Sequence, residues 1–244
     1  MAKIRLLEKA PIIEAIVDIR VKPSTDQNLS NLLSIHSSIS EKYPQKRDRV
    51  RMQGHFDVTK REIESSSTVD GYIFTSEDNK QVVQSRMDGF SFSRLKPYEC
   101  WENLRDEALH LWKIYLNAVN PVGVSRVALR YINKLEFPAP VKKISEYLTS
   151  PPTVPRPFRE MQAGFFSRNV IRNTKMDNIA IITQALDPAI NRTFFVVVLD
   201  IDVFKRKDFS VSGSKYRDVL EELRKFKNDV FFNSVTERAV KLWE

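Results

Sequence analysis

Glycine is scarce in this chain, with 6 in 244 residues. Long glycine-rich loops, whose free backbone amides cradle phosphate groups, are therefore not expected. A single cysteine, Cys100, excludes an internal disulfide. The histidines are His36, His55 and His110. They fall in different predicted elements and lack zinc-type spacing with Cys100, so no metal site is expected. Walker, Rossmann and nucleophile-elbow patterns are missing, and no cofactor is implied. The longest apolar run, "TFFVVVLDI" at residues 193–201, is far shorter than the roughly 20 residues of a membrane span. The N-terminal stretch "MAKIRLLEKAPIIEAIVDIR" carries Glu8, Glu14 and Asp18 early and does not read as a secretory signal. With the lone cysteine, these absences fit a protein of the reducing cytoplasm with no membrane partner.

What is present is a globular balance. Hydrophobic residues make up 42% and charged residues 29%, enough apolar matter to bury a core and too much for a disordered chain. The formal charge of +8 permits binding to nucleic acid or another polyanion without demanding it.

Periodicity gives the elements. In "IIEAIVDIRV", Ile13, Ala15, Val17, Ile19 and Val21 share one strand face, and Glu14, Asp18 and Arg20 share the other. A helix follows with Leu29, Leu32, Leu33 and Ile39 on one stripe. "RDRVRMQGHFDVTKR" reads as a strand with Arg47, Arg49 and Arg51 on one face, and "ESSSTVDG" as a turn. "YIFTS" and the long "QVVQSRMDGFSFSRL" read as a hairpin. A helix then starts near Glu99 and carries Trp101, Leu104, Ala108, Leu111 and Tyr115 at three- and four-residue steps. The same order returns: the strand "VSRVALRYINKLEF", the short helix "VKKISEYL", the strands "GFFSRNVIRNTK", "NIAIITQAL" and "RTFFVVVLDIDVFK", and a closing helix from Lys215 to Trp243 with a phase shift after Val230. The expectation is an α+β fold of two β-α-β-β-β-α repeats, residues 1–121 and 122–244. They would join as one continuous domain, a curved and mainly antiparallel sheet covered by long helices on one face.

Two residue sets stand out. Asp200 and Asp202 in "LDID" share a strand face by alternation, as do Arg126 and Arg130 in "SRVALR". If the first strands of the halves meet in mid-sheet, acids face bases. The structural reading is a salt-bridged polar sheet face. The functional reading is a concave site for an anionic ligand lined by Arg94, Arg126, Arg130, Asp200 and Asp202. Paired acids also suit Mg²⁺, but a third ligand is missing. The second set is Arg47, Arg49 and Arg51 with Arg168, Arg172 and Lys175, joined by Arg156 and Arg159 on the Pro-rich loop. These bases suit phosphate contacts of a nucleic acid. They equally suit protection of exposed sheet edges.

The segments "KAPIIEAIVDIRV", "GFSFSRLKPYECWENLRDEALHLWKIY", "VSRVALRYINKLEFP" and "LDIDVF" resemble the landmarks of a sporadically distributed family of uncharacterised bacterial proteins of similar length. The strongest pieces are Ser93 to Leu95 with Pro97, Tyr98 and Trp101, and Arg126 with Leu129 to Asn133. The resemblance implies no catalytic residues. Its patchy distribution is similar to that of defence-linked genes. The chain therefore reads as a non-catalytic binding or adaptor protein for an anionic ligand or a partner protein, with a homodimer open to it. The alternatives are nucleic-acid binding through the basic strands, and an enzyme acting on a phosphate-bearing small molecule.

Overall fold

A computed structural model describes residues 5, 7–57, 62–141, 143–155, 157, 164–187, 194–211 and 215–244. The elements run β1 (Ile12–Lys22), α1 (Leu29–Ile39), β2 (Gln45–Asp57), β3 (Glu62–Thr75), β4 (Gln81–Arg86), β5 (Gly89–Leu95), α2 (Trp101–Val119), β6 (Gly123–Pro138), β7 (Phe166–Asn173), β8 (Asn178–Leu186), β9 (Phe194–Phe209), α3 (Tyr216–Ser234) and α4 (Glu237–Val240), with a 3-10 turn at Ile144–Glu146 between β6 and β7. The strands form one nine-stranded sheet in the order β2-β3-β4-β5-β1-β6-β9-β8-β7. Every neighbouring pair is antiparallel.

The core forms where strand alternation meets helix periodicity. Ala15, Val17, Ile19 and Val21 of β1 are buried, as are Phe90 and Phe92 of β5 and Leu199, Ile201 and Val203 of β9. They join Leu104, Leu111 and Tyr115 of α2 and Leu220 and Leu223 of α3 in one apolar cluster. Each buried valine, leucine, isoleucine or phenylalanine of this cluster contributes about 1.5–3 kcal/mol by leaving water. Trp112 stacks on Tyr115 at 5.4 Å between ring centroids and lies 6.0 Å from Phe90, fixing α2 to the sheet. The helix ends on Asn120, whose left-handed backbone (φ 44°) turns its N–H to the Leu116 carbonyl. Helix α1 opens with a reciprocal cap, in which Asn28 accepts from the Ser30 and Asn31 amides while the Asn31 side chain accepts from Asn28.

The two-repeat architecture is overturned. Four strands, not three, follow α1, and the second half has the 3-10 turn Ile144–Glu146 where a helix is expected. The stretch "QVVQSRMDGFSFSRL" is two strands, β4 and β5, reversing at Met87 and Asp88. Gly89 permits that reversal: at φ +155° it lies so close to β1 that an added Cβ would sit 2.4 Å from the Ile19 carbonyl oxygen. The polar "ESSSTVDG" is no turn but part of β3, laddered onto β2 from Ser65 to Thr68. Cross-strand pairing overrides its turn-like composition. The helical layer also falls short of a full cover. Helix α1 has 11 residues. The edge strand β7 keeps nearly all its side chains exposed. The closing helix breaks at Val235, which is extended and bridges to Leu148, so the phase shift in its apolar stripe is a real interruption. No helix among the described residues is long and apolar enough to cross a membrane.

Candidate functional site

Alternation in the central strands sends one set of side chains into the core and the other to the opposite, helix-free face. Glu14, Ile16, Asp18 and Arg20 of β1 are on that face, with Gln84 and Arg86 of β4, Ser91 and Ser93 of β5, Arg126 and Arg130 of β6, and Asp202, Phe204 and Arg206 of β9. They line an open cavity of about 910 Å³ built wholly from strands. Five arginines and three carboxylates line it, above an apolar floor that includes Ile16, Ile132, Ile181 and Phe204.

A chain of ion pairs crosses this face. Asp18 accepts from Arg86 Nη2 at 2.7 Å and from Arg126 Nη1 at 2.9 Å. The other amino group of Arg126 donates to both oxygens of Asp202, at 2.8 and 3.0 Å. Arg130 forks onto Asp200 through Nε at 2.8 Å and Nη2 at 2.6 Å. On the far side of β1, Arg20 donates to Asp88, which also lies 3.3 Å from Arg86 Nε and 3.6 Å from Arg51 Nη2. Asp70 pairs with both Arg49 and Arg51. The guanidinium groups of Arg126 and Arg206 lie 4.4 and 5.1 Å from the Phe204 ring centroid. Burial pushes the Asp202 carboxyl above its ordinary range, against the pull of Arg126 and Arg130. The hydrogen bonds from Arg130 to Asp200 hold the Arg130 guanidinium more firmly charged.

Of the residues singled out for a ligand, Arg126, Arg130, Asp200 and Asp202 come together here. Arg94 does not. It pairs across from Ala15 and so points to the helix side, where it binds Glu99 at the start of α2. The reason is parity: Phe90, Phe92 and Arg94 alternate with Ser91 and Ser93, and the phenylalanines take the core. The sharp turn after it likewise has a structural role, since Lys96 N–H donates to the Ile13 carbonyl at 2.9 Å.

The basic strands are the two edges of the sheet. Register carries Arg47 and Arg49 of β2 through Ile73 and Gly71 to Gln84 and Arg86, so both share the helix-free face. Arg168 and Arg172 of β7 register through Thr183 and Ile179 with Asp200 and Phe204, and lie on the same face at the opposite edge. The two residue sets that the sequence keeps apart thus lie on one surface. Arg172 pairs with Asp177 in the following turn, while Arg47 and Arg168 make no ion pair among the described residues. Arg156 and Arg159 lie outside the described residues.

Arg86 carries no periodic signal of its own. It sits on what reads as one long strand, and only the pairing of β4, β5 and β1 brings it to Asp18. The alternation of Ser91 and Ser93 with Phe90 and Phe92 is the one local sign of this polar face. The carboxylates of Asp200 and Asp202 are engaged by arginine, and among the described residues no cluster of three metal-ligating side chains occurs. His36 stacks on Phe74 at 5.1 Å and serves packing.

No family model and no curated protein matches this chain. The face has to be interpreted from its own chemistry.

Proposed function

We propose that the protein is a non-catalytic binding protein that takes an anionic ligand on the helix-free face of its sheet. One observation carries the reading: arginines from four strands surround an open cavity of about 910 Å³, each fixed by a carboxylate or an aromatic ring. Guanidinium groups already held in place lose little freedom when they meet a phosphate or carboxylate, which favours binding. The volume falls within the range of small-molecule sites. Of the three acids that line the cavity, Asp18 and Asp202 are hydrogen-bonded to arginine, and the Glu14 side chain makes no hydrogen bond or ion pair among the described residues; the enzyme reading would need Glu14 alone as its general base and has less support.

Arg206 gives the cleanest test. It is exposed, lines the cavity and makes no ion pair among the described residues, so Arg206→Ala leaves no carboxylate stranded. Native mass spectrometry of protein purified from its own host should show a retained anion. Isothermal titration with that anion should show about 5- to 10-fold weaker binding in Arg206→Ala. Identical affinities in the two proteins contradict the reading.

Nucleic-acid binding is the second reading, favoured by the placement of Arg47 and Arg168 at opposite edges of the same face. Eight strand spacings separate β2 from β7, about 38 Å across the sheet at roughly 4.8 Å each. A small anion needs no such width, whereas an extended phosphate backbone does. In this case affinity for an oligonucleotide falls steeply between 50 and 200 mM salt, and Arg47→Ala with Arg168→Ala flattens the slope. The link to bacterial defence, drawn from the resemblance, is a proposal about context that leaves this chemistry unchanged.

A further inference from the structure

A second chamber lies on the other side of the sheet, where the N-terminal segment, the start of α2, β6 and α3 meet. Its volume is about 190 Å³. Lys227 of α3 sits in it with Nζ 3.9 Å from the centroid of the Tyr131 ring. No carboxylate lies within ion-pair distance of this ammonium among the described residues. Arg224, one turn earlier on α3, also lines the chamber; its closest carboxylates, Glu102 and Glu221, are 3.6 Å away. The hydroxyls of Tyr98 and Tyr131 meet at 2.9 Å and have no other partner among the described residues. Two hydroxyls sharing one hydrogen bond leave one O–H free to donate.

Glu8, Glu99 and Glu102 also line the chamber, but among the described residues none of them hydrogen-bonds or ion-pairs with the Lys227 ammonium or the tyrosine pair, so these donors face the chamber without an acceptor in reach. An unpaired buried cation is costly, and two like charges side by side add to the cost. The walls are apolar, from Trp101 and Phe231. We propose that this chamber binds a small organic carboxylate, with its oxygens on Lys227, Arg224 and the tyrosine pair and its apolar body against Trp101 and Phe231.

The electrostatics agree with this arrangement. Burial, aided by Arg224, lowers the Lys227 ammonium to a pKa of about 7. Burial raises the Tyr98 phenol to about 12, so it stays protonated as a donor. The other charged groups at the chamber are Arg5 and Glu8 of the N-terminal segment and Glu99 and Glu102 at the start of α2. Glu99 binds Arg94, and Glu102 lies nearest Arg224. A bound carboxylate favours the protonated lysine, so affinity is highest below about pH 7 and falls as pH rises through that value.

Benzoate is the probe, titrated into the full chain and followed by the indole N–H resonance of Trp101, which donates to Glu221 at 2.7 Å beside the chamber. Wild type should saturate at millimolar benzoate. Benzyl alcohol, with the same body and no charge, should bind at least about tenfold more weakly. Lys227→Met should weaken benzoate about tenfold or more and remove the decline between pH 6 and 8.5. Tyr98→Phe, which deletes only a hydroxyl, should cost roughly fivefold and stands in if the lysine variant does not fold. No response of wild type up to 50 mM benzoate overturns the proposal. So does equal binding of benzoate and benzyl alcohol, or affinity unchanged in both variants.

Discussion

Two aspartates on the same sheet face illustrate how burial decides what a charge is worth. Asp18 holds Arg86, whose side chain is 5% exposed, and shares Arg126. Asp200 holds Arg130, which is 45% exposed. Asp18→Asn leaves Arg86 charged and short of a partner away from water, and should cost about 3–5 kcal/mol of stability. Asp200→Asn exposes a guanidinium that water can solvate, and should cost about 1 kcal/mol or less. Urea denaturation of the two variants should show this order, and equal losses would mean that the chain of ion pairs does not anchor on Asp18. The acid-base complementarity of these strands was legible in the sequence, because alternation alone puts Asp18, Arg126 and Asp202 on polar faces. The central place of Arg86 was not. Its worth depends on a neighbour 68 positions away in sequence.

At the scale of elements, the edges explain where the bases went. Strands β2 and β7 end the sheet, and each has an unpaired row of backbone donors and acceptors that could template another chain. The exposed apolar side chains Val50 and Met52 on β2 and Phe166, Val170 and Ile171 on β7 add to that hazard. Arg47, Arg168 and Arg172 set charge beside them. Replacing Arg168 and Arg172 together by Val should shift the protein to larger species in size-exclusion chromatography within hours at micromolar concentration. An unchanged elution volume means these arginines are not guarding the edge, and their phosphate-binding role gains weight. Strand periodicity located both elements, but period alone cannot tell an edge from a centre. The same blindness produced the false repeat: a Met-Asp-Gly reversal hidden inside an apolar alternation looked like continuous strand, and a serine-rich strand looked like a turn.

At the scale of the whole molecule, β1 and β6 are hydrogen-bonded in the middle of the sheet, so the first and second halves of the chain share their ladder and their core. Separating them would strip both strands of partners along one side. Thermal unfolding followed by calorimetry should therefore show one cooperative transition, with equal calorimetric and van't Hoff enthalpies. Two resolved transitions would mean the halves hold themselves together independently. The joined sheet also sets the functional geometry, because only a surface continuous from β4 to β9 brings Arg86, Arg126 and Arg206 around one cavity.

The sequence by itself determined the elements with strong periods, the two faces of the central strands, and the acids and bases that those faces carry, since alternation and the 3.6-residue repeat are local properties of the backbone. Only the tertiary structure decided that Arg94 turns away from the site, that both basic edges share its surface, and that Lys227 lies against Tyr131 with no carboxylate in ion-pair distance among the described residues. Those outcomes rest on register and on contacts between segments far apart in the chain, and neither leaves a mark on the residues next door.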